Sequence, residues 1–187
     1  MKKTTTILFA TVLAGAVSAQ SKQISAGADV MLPMGDFGKE FTMAVGPSVG
    51  FELPVGDKLA LTAQATYGIM LLKDDIKEVL NSATLIPLQA GVKYYFQGSQ
   101  NGLYAHAQVG VHMFSEKFKE NALFGLSAET ESQTRTSFGG GIGYQMDKLD
   151  FGLRYNMLLA GEEEEGSESD GWSYVGLRVA YLFALGN

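Results

Sequence analysis

Alternation of apolar and polar positions starts at Gln23 and recurs, segment after segment, to the C-terminal end. Ile24, Ala26, Ala28, Val30 and Leu32 share one parity; Gln23, Ser25, Gly27, Asp29 and Met31 share the other. A period of two marks a strand with unlike faces. The same pattern returns at 43–55, 58–71, 84–96, 103–114, 135–146, 149–159 and 173–183, which makes eight strands. In the last of them Val175, Leu177, Val179, Tyr181 and Phe183 face one way. Tyr174, Gly176, Arg178 and Ala180 face the other.

The segments between strands alternate in length. Gly56-Asp57, residues 97–102 and Asp147-Lys148 are tight turns. Residues 33–38, 72–83, 115–134 and 161–171 are longer, and 73–80 has room for one or two helical turns. Consecutive antiparallel strands, even in number and with connections of alternating length, describe a closed up-and-down barrel. The expected fold is therefore all-β: an eight-stranded antiparallel transmembrane β-barrel with short periplasmic turns and longer extracellular loops.

Alternation leaves open which face is inside, because a soluble ligand-binding barrel alternates too. Three features choose the apolar face as the outer one. Nearly half of the 23 glycines fall on the polar parity, where a narrow packed interior needs small residues. The charges of that parity are few and of both signs: Asp29, Glu52 and Asp150 against Lys93, Arg154 and Arg178. Ions in a dry interior must pair. Finally, Phe51, Phe96, Tyr144, Phe151, Tyr181 and Phe183 cluster on the apolar parity near the short-turn end, where an interfacial girdle belongs.

The first residues carry a different signal. Lys2 and Lys3 precede an apolar run at 7–17, and Val17-Ser18-Ala19 is a small-residue cleavage pattern. This predicts a secretory signal peptide over 1–19 and a barrel domain over 20–187. No later apolar run reaches the ~20 residues of a spanning helix. With no cysteine in the chain, disulfides and thiolate metal sites are excluded, and the formal charge of −6 argues against a nucleic-acid partner.

Three stretches resemble the outer membrane protein beta-barrel domain family, the porin-like OmpA/OmpX-type small barrels. They are Ala26-Gly27-Ala28-Asp29-Val30 with Leu32-Pro33-Met34-Gly35-Asp36-Phe37, then Ala90-Gly91-Val92-Lys93-Tyr94-Tyr95-Phe96, and then residues 175–183. The resemblance implies a monomer in the cell outer membrane, in contact with its lipid and lipopolysaccharide. It also implies that Val179, Tyr181 and Phe183 form an insertion signal read by the outer-membrane assembly machinery.

Candidate chemistry is sparse. His106 and His112 share the lumen parity but stand about 20 Å apart along one strand, too far to hold one metal. Ser115 and Glu116 follow His112 with alternating direction, a poor catalytic set. The acidic run Glu162-Glu163-Glu164-Glu165 lacks calcium-loop spacing and reads as a solvated loop. No catalytic residue, metal site or cofactor is expected. Tyr95, Tyr104, Trp172 and Tyr174 have the parity to plug the lumen. The most specific feature is a lumen charge network of Asp29, Glu52, Lys93, Arg154 and Arg178, with Arg178 expected to pair with Asp29 or Glu52. The function expected from these features is structural or surface-interacting, with the lumen filled. A narrow solute or ion pore, a lipid A-modifying enzyme and an adhesin working through the loops are the alternatives.

Overall fold

The structure is a computed structural model that describes residues 21–78, 80–98, 100–119, 130–159 and 172–185. Its strand segments are β1 (Lys22–Met34), β2 (Phe41–Pro54), β3 (Leu59–Thr66), β4 (Gly68–Leu72), β5 (Leu80–Tyr95), β6 (Gly102–Phe118), β7 (Thr130–Met146), β8 (Leu149–Leu158) and β9 (Trp172–Leu185). One short helix, α1 (Phe37–Glu40), joins β1 to β2, and a 3-10 turn (Ile76–Glu78) precedes β5. Each strand pairs antiparallel with its neighbours in sequence, and β9 returns to pair with β1. β3 and β4 are one wall strand interrupted at Tyr67, so the closed barrel has eight.

Two prolines explain the interruption. Pro47 on β2 and Pro87 on β5 lie at the level of Thr66 and Tyr67, and neither has an N–H to give the ladder. Tyr67 still donates to the Pro47 carbonyl at 3.0 Å, and the register is the same on both sides of the break. The closing seam runs from Lys22↔Leu185 to Met34↔Ser173 and holds Asp29 opposite Arg178. At the tight turn between β7 and β8, Asp147 takes a φ of 50°, a left-handed geometry that Asp tolerates better than most residues.

The apolar parity faces outward on every strand. Val109 is 63% exposed, Ile142 53% and Val179 51%. A belt of such side chains around a closed wall is stable against hydrocarbon and not against water. Among the described residues no helix is long and apolar enough to cross a membrane.

Three boundaries differ from the sequence expectation by more than two residues. β5 starts at Leu80, inside the expected 72–83 connection. β6 continues to Phe118 and β7 begins at Thr130, with Lys117 opposite Thr130, so both ends of the expected 115–134 loop belong to paired strands. Strands also run to 17 residues, beyond the ~9–11 a membrane strand needs. The cause is common to all three. Apolar alternation marks only the part of a strand that meets hydrocarbon, whereas backbone pairing continues past it with polar side chains. The expected signal peptide over 1–19 and the acidic 161–171 loop lie outside the described residues.

Parity fails at two places, both at the long-connection end. The β2–β4 register shifts between Phe41 and Met43, and the β5–β6 register shifts between Leu80 and Ser82. Each is a β-bulge with an extra residue, Thr42 and Asn81. The bulges turn Phe41 and Leu80 into the lumen, at 1% and 6% exposure.

The filled lumen as candidate functional site

Side chains of the inward parity fill the barrel in storeys. At the short-turn end the floor is built on Glu52. Lys93 Nζ lies 3.0 Å from Glu52 Oε2, Tyr95 OH donates to Glu52 Oε1 at 2.8 Å, and Gln100 Nε2 donates to the same oxygen at 2.8 Å. Gln145 Oε1 sits 2.7 Å from the Tyr95 hydroxyl.

Above the floor, Asp150 is the hub. Its Oδ2 accepts from Lys93 Nζ at 3.0 Å and from Arg178 Nη1 at 3.1 Å; its Oδ1 accepts from Tyr104 OH at 2.7 Å. Arg178 uses its other nitrogens on Ser25 Oγ (2.7 Å) and Ser48 Oγ (3.4 Å). Lys93 also sits 4.2 Å above the centre of the Tyr104 ring, a cation–π position. All the carboxylate lone pairs and cationic donors named here are buried, so their partners are what make their burial tolerable.

In the middle storey Arg154 Nη2 lies 2.8 Å from Asp29 Oδ1. Asp29 Oδ2 accepts from Thr66 Oγ1 at 2.6 Å and Gln64 Nε2 at 3.2 Å. Gln89 and Gln108 both donate to Asn156 Oδ1, at 2.7 and 2.9 Å. A cavity of about 30 Å³ separates this layer from the one below; Ser25, Gln89, Lys93, His106, Asp150 and Arg178 are among its walls. That is space for a water or two between polar groups. Higher still, His112 Nε2 and Tyr174 OH meet at 2.8 Å.

The structure thus brings all five expected residues, Asp29, Glu52, Lys93, Arg154 and Arg178, into lumen ion pairs, but not with the expected partners. Arg178 pairs with Asp150 and with neither Asp29 nor Glu52, although Asp29 stands beside it in register. Asp29 is already held by Arg154, Thr66 and Gln64. Gly50 on β2 leaves room for the guanidinium, since a Cβ there would lie 3.3 Å from Arg178 Nη2. The expected insertion residues Val179, Tyr181 and Phe183 all point outward on β9, and Tyr181 and Phe183 pack with ring centres 4.9 Å apart. Ser115 bonds Ser132 across β6 and β7 while His112 turns to Tyr174, so the two are not combined into a catalytic pair. In the loop before β5, Lys77 bonds Asp74 and holds its carboxyl below the usual range.

Over these polar storeys lies one of which the sequence showed only Trp172 and Tyr174. Met31, Phe37, Phe41, Met70, Leu85 and Phe114 form an apolar cluster at the long-connection end, with Trp172 packed against it. Phe37 stacks on Trp172 at 4.5 Å and meets Phe114 edge-on at 6.0 Å; Phe41 meets Phe114 at 5.5 Å. Arg135, also missed, lies 3.9 Å over the Trp172 ring and takes Gln133 Oε1 at 3.2 Å. Its parity with Ser137 could have placed it inside.

No known protein-family model matches the chain, and no curated protein matches it by sequence. Solved structures match it by shape. Ail, the attachment invasion locus protein of Yersinia pestis, in complex with the heparin analogue sucrose octasulfate, gives a TM-score of 0.60 at 13% identity over 88% of this chain and 100% of that one. The N-terminal β-barrel domain of Pseudomonas aeruginosa OprF gives 0.57 at 17% identity, over 88% and 98%. Neisserial surface protein A gives 0.56 at 13% identity, over 88% and 97%. The fold is that of the small OmpA/OmpX-type outer-membrane barrels. At these identities the likeness speaks for the fold alone. An OmpA/OmpX-type barrel of eight strands has an interior just wide enough for side chains to fill, as they do here.

Proposed function

We propose that this chain is an outer-membrane barrel of structural or surface-interacting role, with a lumen that side chains plug. The observation that carries this reading is the combination of an apolar exterior with an interior in which the buried carboxylates Asp29, Glu52 and Asp150 are each paired with a buried cation. The barrel sits in outer-membrane lipid as a monomer, with the β1–α1–β2, β4–β5, β6–β7 and β8–β9 connections on the outer, lipopolysaccharide side. Residues 1–19 direct export. The outward row Val179, Tyr181, Phe183 is what the assembly machinery reads.

Two experiments test the reading. The membrane-extracted protein should migrate differently on gels before and after boiling; a species soluble without detergent and unchanged by boiling would refute the barrel. Vesicles carrying the protein should not swell in isotonic sugar. Swelling at rates typical of porins would transfer the chain to the pore class. A surface-binding role is favoured by one further observation: β6 and β7 continue as a polar, paired ribbon to Phe118 and Thr130, past the apolar belt. Retention on a sulfated polysaccharide column, lost on removing residues 117–131, would support it.

A further inference from the structure

The ion pairs do not reach the outer end of the lumen. The polar contacts there are His112 with Tyr174 and, over the Trp172 ring, Arg135 with Gln133; the other inward side chains of this end are Met31, Ala44, Met70 and Leu85, and then the rings of Phe37, Phe41, Phe114 and Trp172. Phe37, Phe41 and Phe114 are each at most 2% exposed. Apart from the Trp172 indole N–H and the Arg135 guanidinium over that ring, such a stack offers no polar atom to an entering water or ion, and apolar constrictions exclude water by dewetting.

We propose that this ring cluster is the outer stopper of the barrel, separate from the ion-pair network beneath it, and that Phe37 is its removable piece. Phe41 and Phe114 belong to long wall strands. Phe37 rides on α1, a single helical turn entered through Gly35 at φ +61°. Lys73 ties it to the wall twice: Nζ donates to the Gly38 carbonyl at 2.6 Å and the backbone N–H to the Glu40 carbonyl at 3.3 Å. The stopper keeps outside water from the Asp29–Arg154 pair, so the charged storeys communicate with solvent from the short-turn side alone. That the stopper faces outward rests on the orientation proposed above.

The chain has no cysteine, so one introduced thiol reports alone. Ala44 belongs to the cluster and is fully buried, and Ala44→Cys is a small change. In micelles, a charged methanethiosulfonate should leave Ala44→Cys unmodified. Adding Phe37→Ala should raise the modification rate by about 100-fold, the population shift that loss of a buried ring implies. Phe37→Leu, which keeps apolar bulk, should restore most of the protection. Equal rates with the ring present and absent would overturn the proposal, whether both are fast or both negligible. Should Phe37→Ala lose its heat-modifiable band, Lys73→Ala loosens α1 with every ring in place and must also speed modification; no change overturns the stopper. Orientation is read separately: a bulky maleimide on intact cells should label Lys39→Cys. Failure there refutes the outward placement and leaves the micelle result standing.

Discussion

Asp150→Asn should be the most costly single change in the lumen. The substitution keeps the shape and removes the charge. Lys93 would retain Glu52 at 3.0 Å, so it stays compensated. Arg178 would keep only the hydroxyls of Ser25 and Ser48 and an amide oxygen. A buried cation without its counter-ion costs about 3 kcal/mol or more. Arg178→Met should cost less, about 2 kcal/mol, because Asp150 still accepts from Lys93 and Tyr104. The double variant should fall short of the sum by about 2 kcal/mol, since each substitution removes the reason the other is costly. Trp172 is the sole tryptophan and packs at the top of the lumen, so its fluorescence follows urea unfolding of the barrel in lipid vesicles. If Asp150→Asn unfolds at the wild-type urea concentration, or if the two effects simply add, Asp150 is not the hub described here.

Three further outcomes follow from the packing. Gly143→Ala would place a methyl 2.2 Å from the Tyr104 hydroxyl and 2.5 Å from the Phe151 carbonyl, and the wall carbonyl cannot yield. It should destabilise the barrel by about 1–3 kcal/mol in the same assay. Tyr95→Phe removes a donor to Glu52 that Lys93 and Gln100 partly replace, so its cost should be about 1 kcal/mol, seen as a modest shift in the urea midpoint. Phe183→Ala removes an outward ring and no lumen contact; assembly in cells, followed by pulse-labelling and heat-modifiability, should slow, while refolding in detergent stays near the wild-type rate.

The wall was legible in the sequence because each lumen or lipid side chain obeys a period of two, and nothing else in a barrel does. Asp29, Glu52, Lys93, Arg154 and Arg178 could be assigned to the interior from parity alone. Their partners could not. A long side chain in a narrow lumen reaches across strands: Lys93 on β5 meets Asp150 on β8, and Arg154 on β8 meets Asp29 on β1. Which oxygen it finds depends on which glycines leave room, as Gly50 does for Arg178. The outer storey was hidden for another reason. Phe37 lies in what reads as a turn, and Phe41 has the wrong parity for a lumen residue until the bulge at Thr42 is known.

Those bulges also say how such a barrel can be rewritten. A substitution changes one side chain, whereas one residue inserted as a bulge changes which sequence parity faces inward at every position between it and the loop. Thr42 and Asn81 are each a single residue in excess over the partner strand, and each sends a large apolar side chain inward near a loop while the positions below keep their assignments. Deleting Thr42 would close the bulge into a regular ladder, with Phe41 still inward opposite Leu72 and directly before Met43, and leave Glu52 where it is. Insertion and deletion near the loops are therefore a vocabulary for remodelling the mouth of the barrel that leaves the grammar of its charged interior alone.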